Sequence, residues 1–365
     1  MDIFGITGTN GKTTTTWILA EFLRASGRKT GYLTTVEVDD GVRKFSTGYT
    51  TPPLPVLTDV FNAMEANGLD SCVMEVSSHA IHQHRTGDTV FAGCGFTNLT
   101  EDHLDYHKTM EAYFEVKADL FRRLASANPG APAAVCVDGD YGRRLADICR
   151  LLPLRLIPFG FLVSDPRLVE LIQKTCPLVG RYNVQNVLLA AALAEGAGVS
   201  ESVIRATIPQ LTPRWGRLER VATRSEAEVF VDYAHTDDAL ANVLSTAREF
   251  TAGRIWAVFG AGGDRDKAKR PLMGAAAARH ADRLVVTSDN PRSEKPEDII
   301  EQIVAGIPAG TTFVVEPDRA KAIRLALSQA QKGDTVVICG KGHETTQTIG
   351  GQNFHFDDRE QCAQF

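Results

Sequence analysis

Ile3-Phe4-Gly5-Ile6-Thr7-Gly8-Thr9-Asn10-Gly11-Lys12-Thr13-Thr14 is a strand–turn–helix pattern near the start of the chain. Its apolar beginning predicts a buried strand, its Gly-Thr-Asn-Gly centre a tight turn, and its end opens a helical pattern over Thr15–Ala25. In such a turn, glycines let backbone N–H groups surround a polyphosphate, and the helix N-terminus adds partial positive charge. Lys12 supplies a full charge, and the Thr13 hydroxyl is a ligand type for Mg²⁺. The pattern therefore predicts nucleotide binding.

The turn is a shorter variant of the common P-loop. The usual pattern has a glycine five residues before Gly11, where this chain has Ile6. A glycine-rich turn that binds no ligand is the alternative, but the strand before it and the helix after it favour a P-loop. The candidate phosphate-binding residues are Gly8, Thr9, Asn10, Gly11, Lys12, Thr13 and Thr14.

Composition limits the class of protein. The chain has 365 residues, 43% of them hydrophobic and 23% charged, which is typical of a soluble protein with two domains. Its net charge of −6 argues against a nucleic-acid partner. Seven scattered cysteines without a C-x-x-C pair indicate buried free thiols in a reducing compartment. We find no apolar stretch of membrane-spanning length and no signal peptide before the first motif, so we expect a cytoplasmic protein without a membrane partner.

Strand and helix patterns alternate along the chain, which predicts an α/β fold with mostly parallel sheets. The segment 209–213, Pro-Gln-Leu-Thr-Pro, predicts a domain boundary, so we expect domains at 1–211 and 212–365. The segment 151–177 has the least regular pattern, with short pieces separated by prolines. In parallel sheets the polar sites lie at the carboxyl ends of the strands.

Three features of the first half contain candidate site residues, two of them at the carboxyl ends of predicted strands. Glu75 lies near the end of an apolar strand pattern over Ser71–Val76. At that strand end its carboxylate could bind Mg²⁺ or simply face solvent. The segment 98–107 follows the next strand and contains three carboxylates and two histidines, which fits either a metal or substrate site or a solvated loop. Lys117 lies in a helical pattern, where a lysine is ordinarily a surface cation or an ion-pair partner.

Other polar residues fall at a helix start and in the second half. Asn183 and Asn186 begin a helical pattern, where their amides could contact a base or cap the helix. Asp232 ends a strand and could bind ribose hydroxyls. Arg292 could hold a carboxylate with its planar guanidinium, and Glu344 could bind an ammonium group. The Gly-rich turn 260–266, which contains Arg265, follows another strand. Each of these loops in the second half is compatible with an ordinary polar loop, but four of them at strand ends of one sheet favour a small zwitterionic ligand.

In combination these motifs resemble the Mur ligase family, and the resemblance extends from Ile3 to Arg359. It implies a P-loop ATPase-type central domain, shortened near 151–177, and a Rossmann-like C-terminal domain that binds an amino acid. It also implies an ATP-dependent, ADP-forming ligase for peptidoglycan precursors, acting as a monomer on small-molecule substrates. The string Asp289-Asn290-Pro291-Arg292 is the version found in members that add meso-diaminopimelate to UDP-N-acetylmuramoyl-L-Ala-D-Glu.

The resemblance also assigns roles to residues. It implies that Lys12 and Thr13 hold the ATP phosphates, and that Thr13 and Glu75 bind one Mg²⁺. It implies a second Mg²⁺ at His103 and Lys117, with Lys117 carbamylated by CO₂. The implied nucleotide contacts beyond the P-loop are Asn183, Asn186, Arg217, Asp232 and His235. The implied acceptor contacts are Thr50, Thr51, Ser77, Gln83 and Arg85, and the implied amino-acid contacts are Arg265, Asn290, Arg292, Gly340 and Glu344.

Two departures from the family keep alternatives open. Family members carry an N-terminal domain that binds UDP, whereas this chain starts directly at the P-loop strand, and the segment 151–177 is short. A ligase that acts on a smaller carboxylate without UDP, and a nucleotide-binding relative without catalysis, are therefore alternatives. A folylpolyglutamate-synthase-like ligase is a third, although Asp289-Asn290-Pro291-Arg292 favours diaminopimelate over glutamate.

Overall fold

The chain forms two compact units, Met1–Thr212 and Pro213–Phe365. The computed structural model describes residues 1–213 and 216–365, apart from the side chain of Asp105. No helix within these ranges combines the length and apolar character needed to span a membrane.

An eight-stranded sheet with the strand order β4-β3-β2-β5-β1-β6-β7-β8 forms the centre of the first unit. Its strands are β1 (Asp2–Thr7), β2 (Thr30–Leu33), β3 (Val38–Asp39), β4 (Lys44–Phe45), β5 (Ser71–Glu75), β6 (Phe91–Phe96), β7 (Pro132–Cys136) and β8 (Arg155–Phe159). All neighbours pair in parallel except β2–β3 and β3–β4. The strand that leads into the P-loop lies between β5 and β6, so the carboxyl ends of these three strands meet at one edge.

Helices accompany this sheet. They are α1 (Lys12–Ala25), α2 (Leu54–Ala66), α3 (Ser78–His82), α4 (Leu104–His107), α5 (Met110–Ala127), α6 (Asp140–Arg150), α7 (Pro166–Thr175), α8 (Arg181–Gly196) and α9 (Glu201–Thr207), followed by a 3₁₀ turn at Ile208–Gln210. Helix α8 packs closely on β6, where a Cβ at Gly95 would lie 2.9 Å from side-chain carbons of both Leu189 and Leu193. Glycine at this position therefore lets α8 approach the sheet beneath the P-loop.

The segment 151–177 is more regular than its sequence predicts. It contains strand β8, which completes one edge of the sheet, and helix α7, whose first turn is capped by the Asp165 side chain. Pro158 lies within β8 and Pro166 is the first residue of α7. Edge strands and first helical turns tolerate proline, so the prolines do not interrupt these elements.

A six-stranded sheet with the order β13-β12-β11-β14-β10-β9 forms the second unit. Its strands are β9 (Glu219–Arg220), β10 (Glu228–Asp232), β11 (Ile255–Phe259), β12 (Arg283–Val286), β13 (Phe313–Val315) and β14 (Thr335–Cys339). The remaining elements are the hairpin β15 (Thr346–Ile349) and β16 (Gln352–His355), and the helices α10 (Asp237–Phe250), α11 (Lys269–His280), α12 (Pro296–Val304), α13 (Arg319–Gln329) and α14 (Asp358–Ala363). Only β9 pairs antiparallel in the six-stranded sheet. The predicted α/β class with mostly parallel sheets is thereby confirmed.

Candidate active site

The predicted turn between β1 and α1 has the backbone conformation of a P-loop. Gly8 and Gly11 have positive φ values of 145° and 85°, which favour glycine, and α1 begins at Lys12. A Cβ at Gly11 would lie 2.2 Å from the Asn186 side-chain oxygen. The turn is thus packed directly against α8 and could not close this way with a larger residue.

The loop after β6 fixes the P-loop from one side. The backbone N–H of Asn10 donates to the Asn98 side chain at 2.9 Å, and the Thr97 hydroxyl donates to the Asn10 carbonyl at 2.6 Å. The N–H of Thr9 donates to the Asn98 carbonyl, also at 2.9 Å. The neighbouring strand end therefore determines the shape of the phosphate-binding turn.

Lys117, which its helical pattern alone would put at the surface, is buried beside the P-loop. Its Nζ donates to the Gly8 carbonyl at 2.8 Å and lies 4.6 Å from the Tyr113 ring centroid. The Nζ of Lys12 donates to the same carbonyl at 3.0 Å. Burial, with the nearby charge of Lys12, holds the pKa of the Lys117 amine well below its usual range. The two lysines of the predicted site are therefore brought together.

Histidines surround this region in a cluster that the sequence analysis did not single out as a group. The ring centroid of His103 lies 4.9 Å from that of His79, and the ring of His107 stacks on Tyr113 at 5.0 Å. His107 is buried and shares a hydrogen bond of 2.9 Å with Ser78. Burial, with the surrounding histidines and Lys117, lowers the pKa of His107 to about 4, so this imidazole is neutral at pH 7. His103 itself is partly exposed.

Glu75 ends β5 next to Ile6 of the P-loop strand. Its side chain is buried and accepts hydrogen bonds from the N–H and hydroxyl of Thr35 at 2.8 and 3.2 Å. The alternative that Glu75 simply faces solvent is therefore wrong. Because each carboxylate oxygen can accept more than one contact, the group keeps the capacity to bind a cation.

The predicted acceptor residues form one connected group. The Arg85 guanidinium donates to the Thr51 carbonyl at 3.0 Å and to the Gln83 side chain at 2.7 and 2.9 Å. Thr51 in turn accepts from the N–H of Ser77 at 3.0 Å and donates to the Glu75 carbonyl at 2.9 Å. Thr50 joins the group through its hydroxyl, which lies 3.0 Å from that of Thr35. The group therefore runs from the half-buried Arg85 to the carboxyl end of β5.

Asn183 and Asn186 are buried beneath the P-loop. Asn186 donates to Asn183 at 3.0 Å and accepts from the Thr15 hydroxyl at 3.2 Å, while Asn183 donates to the Val179 carbonyl at 2.8 Å. These contacts couple α8 to α1, and neither side chain caps the start of α8. Direct contact of the two amides with a base stays a prediction.

In the second unit, a buried lysine organises the predicted amino-acid site. Lys341 is fully buried, and its Nζ donates to Asn290 at 3.3 Å and to Glu344 at 3.2 Å. The Asn290 amide also donates to Glu344, at 2.7 Å. Glu344 is thus paired within the protein, which its position in the sequence did not reveal. Lys341 was missed because a lysine in a Gly-Lys-Gly turn gives no signal of burial.

Arg292 and Gly340 lie at the same edge of the second sheet. Arg292 has a positive φ of 53°, and its Nη1 donates to the Gly263 carbonyl at 2.8 Å. A Cβ at Gly340 would lie 2.2 Å from the Asp289 carboxylate. Arg265 is exposed near Gly262, which also faces the Arg292 guanidinium. The five residues assigned to amino-acid binding therefore occupy neighbouring loops.

A further group surrounds Tyr233. The Arg217 guanidinium lies 4.8 Å from its ring centroid, and the Nε of Arg217 is buried without a hydrogen-bond partner among the described residues. Asp232 is buried and accepts from the N–H groups of Leu218 and Ala234 at 2.6 and 2.8 Å, and burial raises its pKa. Burial also lowers the pKa of His235. Asp232 therefore orders the turn that presents Arg217, and its contact with ribose stays a prediction.

The oxygen donors beside the P-loop, the Thr13 hydroxyl and the Glu75 carboxylate, fit Mg²⁺ better than a transition metal. Within the described ranges, no three His, Cys, Asp or Glu side chains form a group that could hold an ion by themselves. Mg²⁺ commonly takes one or two protein ligands and completes its shell with water and substrate phosphates. Thr13 and Glu75, beside the P-loop, fit that requirement.

Comparison with known proteins extends these observations. Residues 6–194 match the model of the Mur ligase middle domain, and residues 216–342 match that of the Mur ligase glutamate ligase domain. The chain belongs to the Mur ligase family. Members of this family are ATP-dependent, ADP-forming ligases, and they require Mg²⁺.

Relatives of this Mur ligase share most of its length. It is 45% identical to the UDP-N-acetylmuramoyl-L-alanyl-D-glutamate–2,6-diaminopimelate ligase of Synechococcus elongatus, over 99% of this chain and 76% of the relative. It is 41% identical to the ligase of the same name from Geobacillus thermodenitrificans, over 98% of this chain and 77% of the relative. A solved structure of a ligase of that name is 32% identical, with a TM-score of 0.66 over 99% of this chain and 77% of the other. A folylpolyglutamate synthase structure with a TM-score of 0.67 is only 20% identical over 94% of this chain and 87% of the other, and shows the fold alone.

Proposed function

We propose that this Mur ligase joins 2,6-diaminopimelate to the glutamyl carboxylate of UDP-N-acetylmuramoyl-L-alanyl-D-glutamate, with conversion of ATP to ADP and phosphate. The observation that carries the proposal is the Lys341–Glu344–Asn290 group beside Arg292. It offers a carboxylate and a guanidinium on neighbouring loops, the pair that an amino acid with its own ammonium and carboxylate groups requires. The names of the relatives supply the substrates.

The reaction proceeds in two steps. The glutamyl carboxylate attacks the γ-phosphorus of ATP, which gives an acyl phosphate and ADP. The amine then attacks the acyl carbon, an amide forms, and phosphate and a proton leave. Lys12 and the backbone N–H groups of the P-loop stabilise the transferring phosphoryl group. Thr13 and Glu75 would hold Mg²⁺, which would supply positive charge to offset that of the anionic substrates.

The proposal includes a second Mg²⁺ near His103 and Lys117, with Lys117 carbamylated. What supports it is the position of Lys117, which is buried next to a second lysine and bonded to a backbone carbonyl. An anionic carbamate there would offset the charge of Lys12 and provide an oxygen ligand. The proposed enzyme is a cytoplasmic monomer, with Asn183, Asn186, Asp232 and His235 on the nucleotide side and Arg217 reaching a phosphate.

The test is phosphate release from ATP with matched substrates. We expect turnover with meso-diaminopimelate and the UDP-muramoyl dipeptide, and little turnover when L-glutamate replaces diaminopimelate. Mass spectrometry of the product identifies the amide formed. Turnover only with D-glutamyl peptides that lack UDP would contradict the proposed acceptor. Phosphate release with L-glutamate alone as amine would contradict the proposed amino acid.

A further inference from the structure

Tyr113 connects the P-loop to Lys117. It lies on α5 one turn before Lys117, is buried, and contacts both partners with different parts of its side chain. Its hydroxyl is 3.2 Å from the Thr9 hydroxyl, and its ring centroid is 4.6 Å from the Nζ of Lys117. No motif of the sequence analysis includes this tyrosine.

The hydroxyl of Thr9 has three neighbours. It lies 3.3 Å from the Thr100 carbonyl and 3.1 Å from the Thr100 N–H, in addition to the Tyr113 hydroxyl. A hydroxyl donates one hydrogen bond and accepts two. All three contacts are satisfied when Thr9 donates to the carbonyl and accepts from the N–H and from Tyr113. Tyr113 is therefore the donor in this arrangement, and it fixes the side chain in the middle of the phosphate-binding turn.

The ring of Tyr113 has its own support. His107 stacks on it at 5.0 Å with an interplanar angle of 24°, and Ser78 holds His107 by a hydrogen bond of 2.9 Å. Ser78 follows the carboxyl end of β5, the strand that carries Glu75. The ring is thus supported by the segment that follows β5, while the hydroxyl of the same side chain contacts the turn after β1.

We propose that Tyr113 is a positioning residue with two separable roles: its hydroxyl shapes the P-loop for nucleotide, and its ring holds Lys117 at the Gly8 carbonyl. The second role rests on the proposed function, because it concerns the lysine to be carbamylated. The first depends only on nucleotide binding.

Two substitutions separate the roles. Tyr113→Phe removes the hydroxyl and keeps the ring, whereas Tyr113→Leu removes both. Tyr141→Phe is the matched control, because it removes a hydroxyl from the adjacent helix α6. We measure ADP binding by calorimetry, and the Lys117 carbamate by carbon NMR after equilibration with ¹³C-bicarbonate. Thermal unfolding of each variant is recorded in parallel.

The expected results differ between variants. Tyr113→Phe raises the Kd for ADP about two- to tenfold, the effect of one lost hydrogen bond, and keeps the carbamate signal. Tyr113→Leu raises the Kd similarly and loses the carbamate signal. Tyr141→Phe changes neither.

Three outcomes would overturn the proposal. These are an unchanged Kd in Tyr113→Phe, an equal rise in Tyr141→Phe, or a carbamate signal that survives in Tyr113→Leu. A lower Tm with unchanged Kd and carbamate would likewise reduce Tyr113 to a structural role. Absence of the carbamate signal in the unsubstituted enzyme would contradict the proposed function of Lys117. The ADP measurements would then still decide the role of the hydroxyl.

Discussion

Lys12 and Lys117 donate to one acceptor, the Gly8 carbonyl, at 3.0 and 2.8 Å. The two residues lie far apart in the sequence, yet their amines meet at the same peptide group of the P-loop. Two ammonium groups at one carbonyl repel each other, and burial adds the cost of desolvation. The arrangement explains why the pKa of the Lys117 amine is held well below its usual range.

Lys117→Met is expected to lower kcat about a hundredfold or more, the scale for losing a group that stabilises transition-state charge. Its effect on ATP affinity should be small, because Lys12 still contacts the Gly8 and Thr9 carbonyls. Steady-state kinetics and ATP binding check both statements. Lys174→Met, at an exposed ion pair on α7, is the control. An equal loss of ATP affinity would contradict a role confined to catalysis.

Arg292→Lys is expected to raise the KM for diaminopimelate about tenfold or more, because a point charge cannot replace a bidentate guanidinium. Lysine would adopt the same positive φ of 53° with the same strain, so the change isolates the guanidinium. The KM for ATP should stay unchanged. Arg279→Lys, exposed at the end of α11, is the matched substitution without an expected effect. An unchanged KM for diaminopimelate would remove Arg292 from the amino-acid site.

The strand–turn–helix start and the polar loops at strand ends could be predicted because each lies in one short stretch of sequence. The group around Tyr113 could not, since its contacts join residues far apart in the chain, such as Thr9 and Tyr113. Lys341 gives no local signal of burial either. Such contacts depend on which strands become neighbours, and one sequence does not specify that order.

The elements of two regions were missed for local reasons. The prolines of 151–177 predicted irregular structure, but Pro158 lies in an edge strand and Pro166 starts a helix, where proline is tolerated. The hairpin β15–β16 turns at Gly350 and Gly351, both with positive φ. Two glycines between short strands are a known hairpin signal that the sequence analysis did not use.

Gly340→Ala is expected to lower the free energy of unfolding by about 1–3 kcal/mol, because it forces a positive φ on alanine. It should also displace Asp289, whose carboxylate lies 2.2 Å from the added Cβ, and thereby raise the KM for diaminopimelate. Gly310→Ala is the matched control, since Gly310 has a φ of 87° but nothing within 4 Å of a Cβ. Denaturant unfolding of both variants reports the backbone strain that they share. The KM for diaminopimelate reports the contact of the added Cβ with Asp289, which only Gly340→Ala makes. Equal KM values in the two variants would show that the Asp289 contact does not matter for binding.

The decrease in the free energy of unfolding at acid pH should depend on Glu294. Its carboxylate accepts from Arg270 at 2.8 and 2.9 Å and from the Asp264 N–H at 2.7 Å, which joins the loops after β11 and β12. Hydrogen bonds from Arg270 and Asp264 lower the pKa of Glu294 to about 2. A carboxylate with a lowered pKa stabilises the folded state above its unfolded pKa of about 4.3, and this contribution is lost as the pH falls toward 2.

We therefore expect the free energy of unfolding to fall between about pH 4.3 and pH 2, and Glu294→Gln to reduce that dependence. Glu297→Gln, exposed in the first turn of α12, is the control and should leave the slope unchanged. Urea unfolding at several pH values gives the slope for each variant. Because the Glu294→Gln substitution leaves the buried Arg270 without its charged partner, the variant should also be less stable at pH 7. A steeper decrease at acid pH in Glu294→Gln than in the unsubstituted protein would contradict the assigned direction of the pKa shift.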